Sequence, residues 1–387
     1  MEAPVNQLAI LCLSHLGWDW VWQRPQQILT RLAAHYPVVY INEPRHRSSH
    51  IETALERVFC EPNLIALQLF SSTLADPGQW SSNQFALIRD YLLELGWLTN
   101  AEGATRTARP LIGWFYTPMP VGIIDYIPFN LVIYDAMDEL ANFKGAPAEI
   151  RQHEKRLFAE ADLVFAGSPS LCEEKRKHFP LTHLFSSGVD VAHFGNALSG
   201  HVDSIPELNE MAHPIIGFYG VLDERLDLQL LDSIACLRPN WTWVMLGPVT
   251  KIDPQELPKR KNILYPGMKH YDELPSYLSA FDVAIMPFAL NKVTIYLRPT
   301  KLLEFMAARK PIVSTPLHDV CAIGSPAVSV AATPEQFIAA IESALNETPE
   351  EKAARVNAQT ELVLMNSWET IVENIRVLID EALPQNL

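Results

Sequence analysis

Short apolar runs rich in Val and Ile alternate along the chain with longer segments of helical periodicity, the pattern of parallel sheets built from βαβ units. In the first half the runs at 8–13, 38–41, 64–69, 111–115, 131–134 and 163–166 predict strands. The second half repeats the style at 215–219, 241–246, 263–265, 283–286, 312–314 and 327–330, with helical stretches such as 271–280 between them. Residues 196–214 are polar, contain Gly200 and Pro206 and lack sustained periodicity, which marks a linker. The prediction is an α/β chain of two doubly wound domains, 1–200 and 201–366. At the end of the chain Ile371, Val372, Ile375, Leu378, Ile379, Ala382 and Leu383 fall on one helical face, so 367–387 predicts an amphipathic helix that needs a surface to cover. No repeat of solenoid length appears.

Composition is consistent with two cores. The chain has 387 residues, 48% of them hydrophobic, and single cores stop growing near ~250–300 residues. A formal charge of −15, from 45 acidic against 30 basic residues, opposes a broad nucleic-acid or anionic-membrane footprint but leaves room for a local basic pocket and a small anionic ligand. The five cysteines are scattered without a Cys-x-x-Cys, which signals neither a disulfide framework nor a zinc site. The first apolar run is too short for a membrane span and follows no basic segment, so it does not read as a signal peptide. The expectation is a cytoplasmic protein, with peripheral contact at the inner membrane left open.

Open α/β sheets bind ligands beyond the carboxyl ends of their strands, and a cleft between two such domains is the expected site. Residues 298–315 read as a helix followed by a buried strand. Pro299 suits a first helical turn, whose free amides attract phosphate, and Lys301 adds a full positive charge there. Leu302, Leu303, Phe305 and Met306 form the apolar stripe, so Lys301 and Glu304 project together from the other side. A carboxylate at Glu304 can accept both hydroxyls of a ribose; the alternative is a solvated Lys–Glu pair. After the first strand come Ser14, His15 and three tryptophans in five residues. Trp18 and Trp20 suit the packing of an irregular loop, whereas Trp22, Gln23 and Arg24 suit the lining of a cleft. Asp135 and Asp138 follow another strand, where carboxylates bind sugar hydroxyls, stabilise developing positive charge or cap a helix. In the second half, Gly220 permits close backbone approach and Arg225 can neutralise a diphosphate. Met268 and Tyr271 can flank a planar base, with Leu274 closing the pocket or packing in the core. Neither a Gly-x-Gly-x-x-Gly nor an Asp-x-Asp occurs.

Together, Gly217-Phe-Tyr-Gly220, Met268 to Pro275, Phe281-Asp-Val-Ala-Ile-Met-Pro-Phe288, Pro299-x-Lys-x-x-Glu304 and Lys310-Pro-Ile-Val-Ser-Thr315 resemble the nucleotide-sugar half of retaining GT-B glycosyltransferases. Gly188-Val-Asp190 and Phe194 resemble the segment before that superfamily's linker. Ser14-His15, Gln23-Arg24-Pro25-Gln26 and Asp135-x-x-Asp-Glu139 are similar to the branch with bacterial teichuronic-acid and exopolysaccharide enzymes. Ser367-Trp-Glu369 resembles the terminal segment that crosses back onto the first domain.

The resemblance implies two Rossmann-like domains, the first for the acceptor and the second for the nucleotide sugar. It implies transfer of a sugar from a nucleoside diphosphate donor, UDP being the commonest in the branch, to a hydroxyl of a glycan, a lipid-linked sugar or a small molecule. It also implies that configuration is retained and that neither metal nor cofactor takes part. Arg225, Lys301 and Asp138 are the implied catalytic residues; Gly220, Met268, Tyr271, Leu274, Arg298, Thr300 and Glu304 hold the donor. His15, Trp22, Gln23, Arg24 and Asp135 contact the acceptor. Two departures stand out: Tyr296 occupies the place of the first of the superfamily's paired glutamates, and Val221 replaces the arginine that often follows Gly220. A nucleotide-sugar epimerase and a non-catalytic sugar-nucleotide-binding partner of another transferase are the alternatives.

Overall fold

The computed structural model describes residues 8–48, 53–72, 79–101, 104–199 and 205–383. By its internal packing the chain divides into two units. The first holds the residues up to Gly167, Leu171–Phe185 and those from Ile371 onward; the second holds Ser168–Ser170 and Ser186–Thr370.

In the first unit lie β1 (Ala9–Leu13), β2 (Val38–His46), β3 (Thr53–Glu61), β4 (Leu64–Ser71), β5 (Leu98–Ala101), β6 (Ala104–Thr107), β7 (Leu111–Phe115), β8 (Leu131–Ala136), β9 (Leu163–Ala166) and β10 (His183–Leu184). Eight of them form one sheet in the order β10-β9-β8-β7-β1-β2-β4-β3, and β5 and β6 pair separately. Every neighbour in the large sheet is parallel except β3 against β4. All residues of β1, β7, β8 and β9 are buried, as strands covered on both faces require. The order reverses between β1 and β7, so the loops after these two strands open at a topological switch point.

The second unit contains β11 (Ile215–Tyr219), β12 (Thr242–Leu246), β13 (Ile263–Gly267), β14 (Val283–Met286), β15 (Ile312–Ser314) and β16 (Ser329–Val330). All are parallel, in the order β13-β12-β11-β14-β15-β16. This is the doubly wound dinucleotide-fold order, with its switch point between β11 and β14. The apolar stripe of the helix Thr300–Ala307, Leu302, Leu303, Phe305 and Met306, is buried in the unit's core as its spacing predicts.

Some boundaries differ from the sequence reading. Pro299 is the N-cap rather than a first-turn residue of that helix. The stretch read as a helix from 271 begins as a 3-10 turn, Tyr271–Glu273, before the helix Leu274–Ala280. The linker expected over 196–214 lies inside the second unit, because Phe194 is buried in that unit's core and Val189 pairs with Ser367; residues 200–204, Gly200 included, are outside the described residues. The last helix, Trp368–Ala382, buries Ile371, Val372, Ile375 and Ile379. Among the described residues no helix is long and apolar enough to cross a membrane.

Candidate functional site

In the second unit the loops after β11, β12 and β13 meet through their backbones. Gly220 N donates to Leu246 O (2.9 Å), Leu222 N to Pro248 O (2.9 Å), and Gly247 N to Gly267 O (3.0 Å). Two of these glycines are dictated by the geometry. Gly247 has φ +137°, and a Cβ there would stand 1.8 Å from the Gly220 carbonyl oxygen. Gly220 has φ +150°, and its absent Cβ marks a point 3.0 Å from Lys301 Cε and 3.1 Å from the Phe218 ring. Bare backbone thus faces a lysine that rises from the first turn of the helix Thr300–Ala307, at the carboxyl end of the strands. Free N–H groups at a helix start, a nearby ammonium and side-chain-free backbone are the elements of an anion site.

One turn on, Glu304 keeps a partly exposed edge, yet its surroundings are desolvating enough to push its carboxyl above the usual carboxylate range; the Lys301 ammonium and the Tyr219 hydroxyl act in the opposite sense. Tyr219 is itself buried at the end of β11, and burial followed by the Glu304 charge drives its phenol well up.

Arg225 is held from two directions. Its carbonyl accepts from Ala289 N at 2.8 Å, while its guanidinium grips Asp223 through Nε (2.9 and 3.1 Å) and NH2 (2.8 Å). Asp223 is buried, so Arg225 carries a bound counter-charge. Arg298 donates to Ser186 Oγ at 3.0 Å, and desolvation lowers its affinity for its proton, against the opposing charge of Asp319. Tyr296, at the first-glutamate position, accepts a 2.7 Å bond from the Ser168 hydroxyl at its carbonyl. Thr300 opens the helix and is half-buried. Met268 is 46% exposed, and Leu274 is partly buried against the core. Tyr271 is stacked on His193, a residue the sequence reading passed over, with ring centroids 4.1 Å apart.

In the first unit Arg24 is the opening residue of the helix Arg24–Leu32. It is paired with Asp135 at the end of β8: Nε lies 3.1 Å from each carboxylate oxygen and NH2 lies 2.9 Å from Oδ1. NH1 donates to Phe185 O at 2.6 Å. The two side chains are 1% and 0% exposed. Each of these two residues, expected to contact the acceptor, has its charge answered by the other below the surface. Gln23 caps the same helix, with Gln26 Oε1 accepting from Gln23 N at 3.0 Å, and His15 and Trp22 are half-buried.

Trp18 packs as expected against Tyr40 and Phe59, at centroid distances of 5.0 and 5.4 Å. Trp20, expected to pack alike, is 41% exposed. Asp138 is half-buried in the turn after β8 and is not a helix cap, since the short 3-10 helix that follows starts from Glu139. That turn is anchored by the buried Lys175, whose ammonium lies 2.7 Å from Glu139 and 2.5 Å from Glu154. Among the described residues no group of three or more His, Cys, Asp or Glu side chains is placed to hold a metal ion.

The chain is similar to known proteins. Residues 213–347 match the family model "Glycosyl transferases group 1". Over 257 residues the chain is 29% identical to the "Putative teichuronic acid biosynthesis glycosyltransferase TuaH" of Bacillus subtilis (strain 168); the match covers 62% of this chain and 64% of that relative, a little under two thirds of its length. Sucrose-phosphate synthase from Thermosynechococcus elongatus shares the fold at TM-score 0.68 with 16% identity, covering 97% of this chain and 99% of that one. The E. coli trehalose-6-phosphate structure bound with UDP-2-fluoro glucose does so at TM-score 0.66 and 12% identity, covering 98% and 99%. The chain therefore has the GT-B fold, and its residues 213–347 are similar to group 1 glycosyl transferases.

Proposed function

We propose that this protein is a glycosyltransferase that moves a sugar from a nucleoside diphosphate, UDP above all, to a hydroxyl of a glycan, lipid-linked or small-molecule acceptor. The observation that carries the reading is the second unit's Lys301 side chain against the bare backbone of Gly220, itself packed on Gly247, with the Glu304 carboxyl one helical turn away. A UDP-sugar bound to the E. coli structure of the same fold favours UDP as the nucleotide.

In this reading Lys301 and the Asp223-braced Arg225 face the diphosphate, where negative charge grows as the sugar C1–O bond breaks. Stabilisation placed there accelerates transfer because it is stronger in the transition state than in the ground state. Glu304 accepts the ribose hydroxyls. Met268, Tyr271 and Leu274 flank the base, and Arg298 and Thr300 border the phosphates and the sugar. The acceptor oxygen bonds to C1 on the face from which the phosphate departs, so configuration is retained, and the acceptor proton passes to the departing phosphate oxygen without a metal. Asp138 lies with the acceptor, alongside His15, Trp22 and Gln23, on a framework fixed by Arg24 and Asp135. A lipid-linked acceptor would bring the protein to a membrane surface.

Lys301→Ala should lower turnover of a UDP-sugar by roughly 10²–10³, the usual cost of one transition-state donor, with the circular dichroism spectrum unchanged. Product must depend on added acceptor and be insensitive to EDTA. Sugar conversion without acceptor would support an epimerase instead, and donor binding without any turnover would support a non-catalytic partner. Wild-type rates in both Lys301→Ala and Arg225→Ala would remove the phosphate assignment.

A further inference from the structure

A residue outside all the expected site positions lies directly on one of them. His193 sits in the short helix Val191–Gly195, whose N-cap Asp190 accepts from His193 N at 2.9 Å. Its ring lies parallel to Tyr271, with centroids 4.1 Å apart and planes 7° from one another. Its Nε2 is 3.1 Å from Tyr271 O. A carbonyl oxygen can only accept, so Nε2 carries the proton in this bond. One side chain therefore fixes both the ring and the backbone of Tyr271, in the 3-10 turn between β13 and the helix Leu274–Ala280. The buried Phe194 ring meets Tyr271 edge-on at 5.7 Å and completes the support. The neighbouring Met268 is 46% exposed.

We infer that His193 is a positioning residue for recognition of the donor's base. By stacking on Tyr271 and holding its carbonyl, it fixes the turn from Met268 to Leu274 before the nucleotide arrives. The inference rests on the donor reading above and deepens it: the base end of the site is preorganised from a different stretch of chain than the phosphate end. Preorganisation of this kind strengthens binding by removing the ordering cost from the binding step. Its loss should fall on the nucleoside and spare the diphosphate, because Lys301, Gly220 and Gly247 belong to other loops.

The test is calorimetric titration of the full chain and of His193→Ala and His193→Phe with UDP, uridine and pyrophosphate, together with hydrogen exchange over residues 267–274. His193→Ala should weaken UDP and uridine alike by about tenfold, ~1.4 kcal/mol, speed exchange in that turn, and leave pyrophosphate unchanged. His193→Phe keeps the aromatic face and should recover most of the loss. UDP affinity unchanged in His193→Ala would overturn the inference while leaving the donor reading intact, as would an equal loss for pyrophosphate, which marks general damage. Wild-type protein that binds none of the three probes would overturn the donor reading and this inference with it.

Discussion

Gly220 and Gly247 make opposite demands on a methyl group, and that contrast tests the geometry of the phosphate end. At Gly247 an alanine Cβ would stand 1.8 Å from the Gly220 carbonyl oxygen with φ at +137°. The clash is with backbone, so no rotamer relieves it; the two loops must part by more than an ångström. Sparsely populated backbone geometry alone costs ~1–3 kcal/mol. Adding the displaced loop contacts puts the loss at about 2–4 kcal/mol, and for a unit of this size 1 kcal/mol lowers Tm by about 2–4 °C. Gly247→Ala should therefore melt on the order of 5–15 °C lower.

At Gly220 the φ of +150° carries a similar strain, but the methyl meets side chains rather than backbone, the flexible end of Lys301 at 3.0 Å and the Phe218 ring at 3.1 Å. That ammonium can swing aside, so the added damage falls on ligand binding. Gly220→Ala should lose UDP affinity by about tenfold or more, ~1.4 kcal/mol, while melting closer to wild type than Gly247→Ala does. Differential scanning calorimetry and UDP titration of both variants measure this. Wild-type UDP affinity in Gly220→Ala, or a smaller stability loss in Gly247→Ala than in Gly220→Ala, would refute the reasoning.

Two further outcomes follow from buried charge. Desolvation holds the Glu304 carboxyl above its ordinary range, so the folded protein retains that proton longer than the unfolded chain, and this group's contribution to stability falls as pH rises from the ordinary carboxylate range through the raised value. Ribose binding needs the ionised form. UDP affinity should accordingly rise with pH across the same window, and in Glu304→Gln it should be flat and roughly ten- to hundredfold weaker, the range for hydrogen bonds to a charged group; a wild-type titration without that pH dependence would count against the ribose role. In the first unit, Asp135→Ala leaves Arg24 buried without its partner, which costs about 3–5 kcal/mol. Urea unfolding should show that loss, with partial recovery in the double variant Arg24→Met, Asp135→Ala; a loss under ~1 kcal/mol would mean the pair is not desolvated.

The central strands were legible because a strand covered on both faces leaves an unbroken apolar run, as in Ala9–Leu13, Leu111–Phe115 and Ile215–Tyr219. The antiparallel edge strand Thr53–Glu61 left no such trace: its residues are exposed or half-buried, and charges interrupt it. The hairpin of β5 and β6 is invisible for the same reason. Lys301 and Glu304 were readable from helical spacing alone. Gly247 was not, since a glycine and proline after a strand read as an ordinary turn, and its constraint comes from the Gly220 carbonyl in another loop.

Pairings distant in sequence were equally hidden. Arg24 and Asp135 are 111 residues apart, and each alone suggested a contact to a ligand in a cleft. His193 and Tyr271 are 78 apart, with nothing in either segment to announce the stack.

The most direct test of the central claim is calorimetric titration of wild-type protein and Lys301→Ala with UDP, after the two free proteins are shown to melt alike. Wild type should show saturable one-site binding, and the variant at least a tenfold loss. Equal affinity in the two, or no binding of UDP, GDP or ADP to wild type, would contradict it.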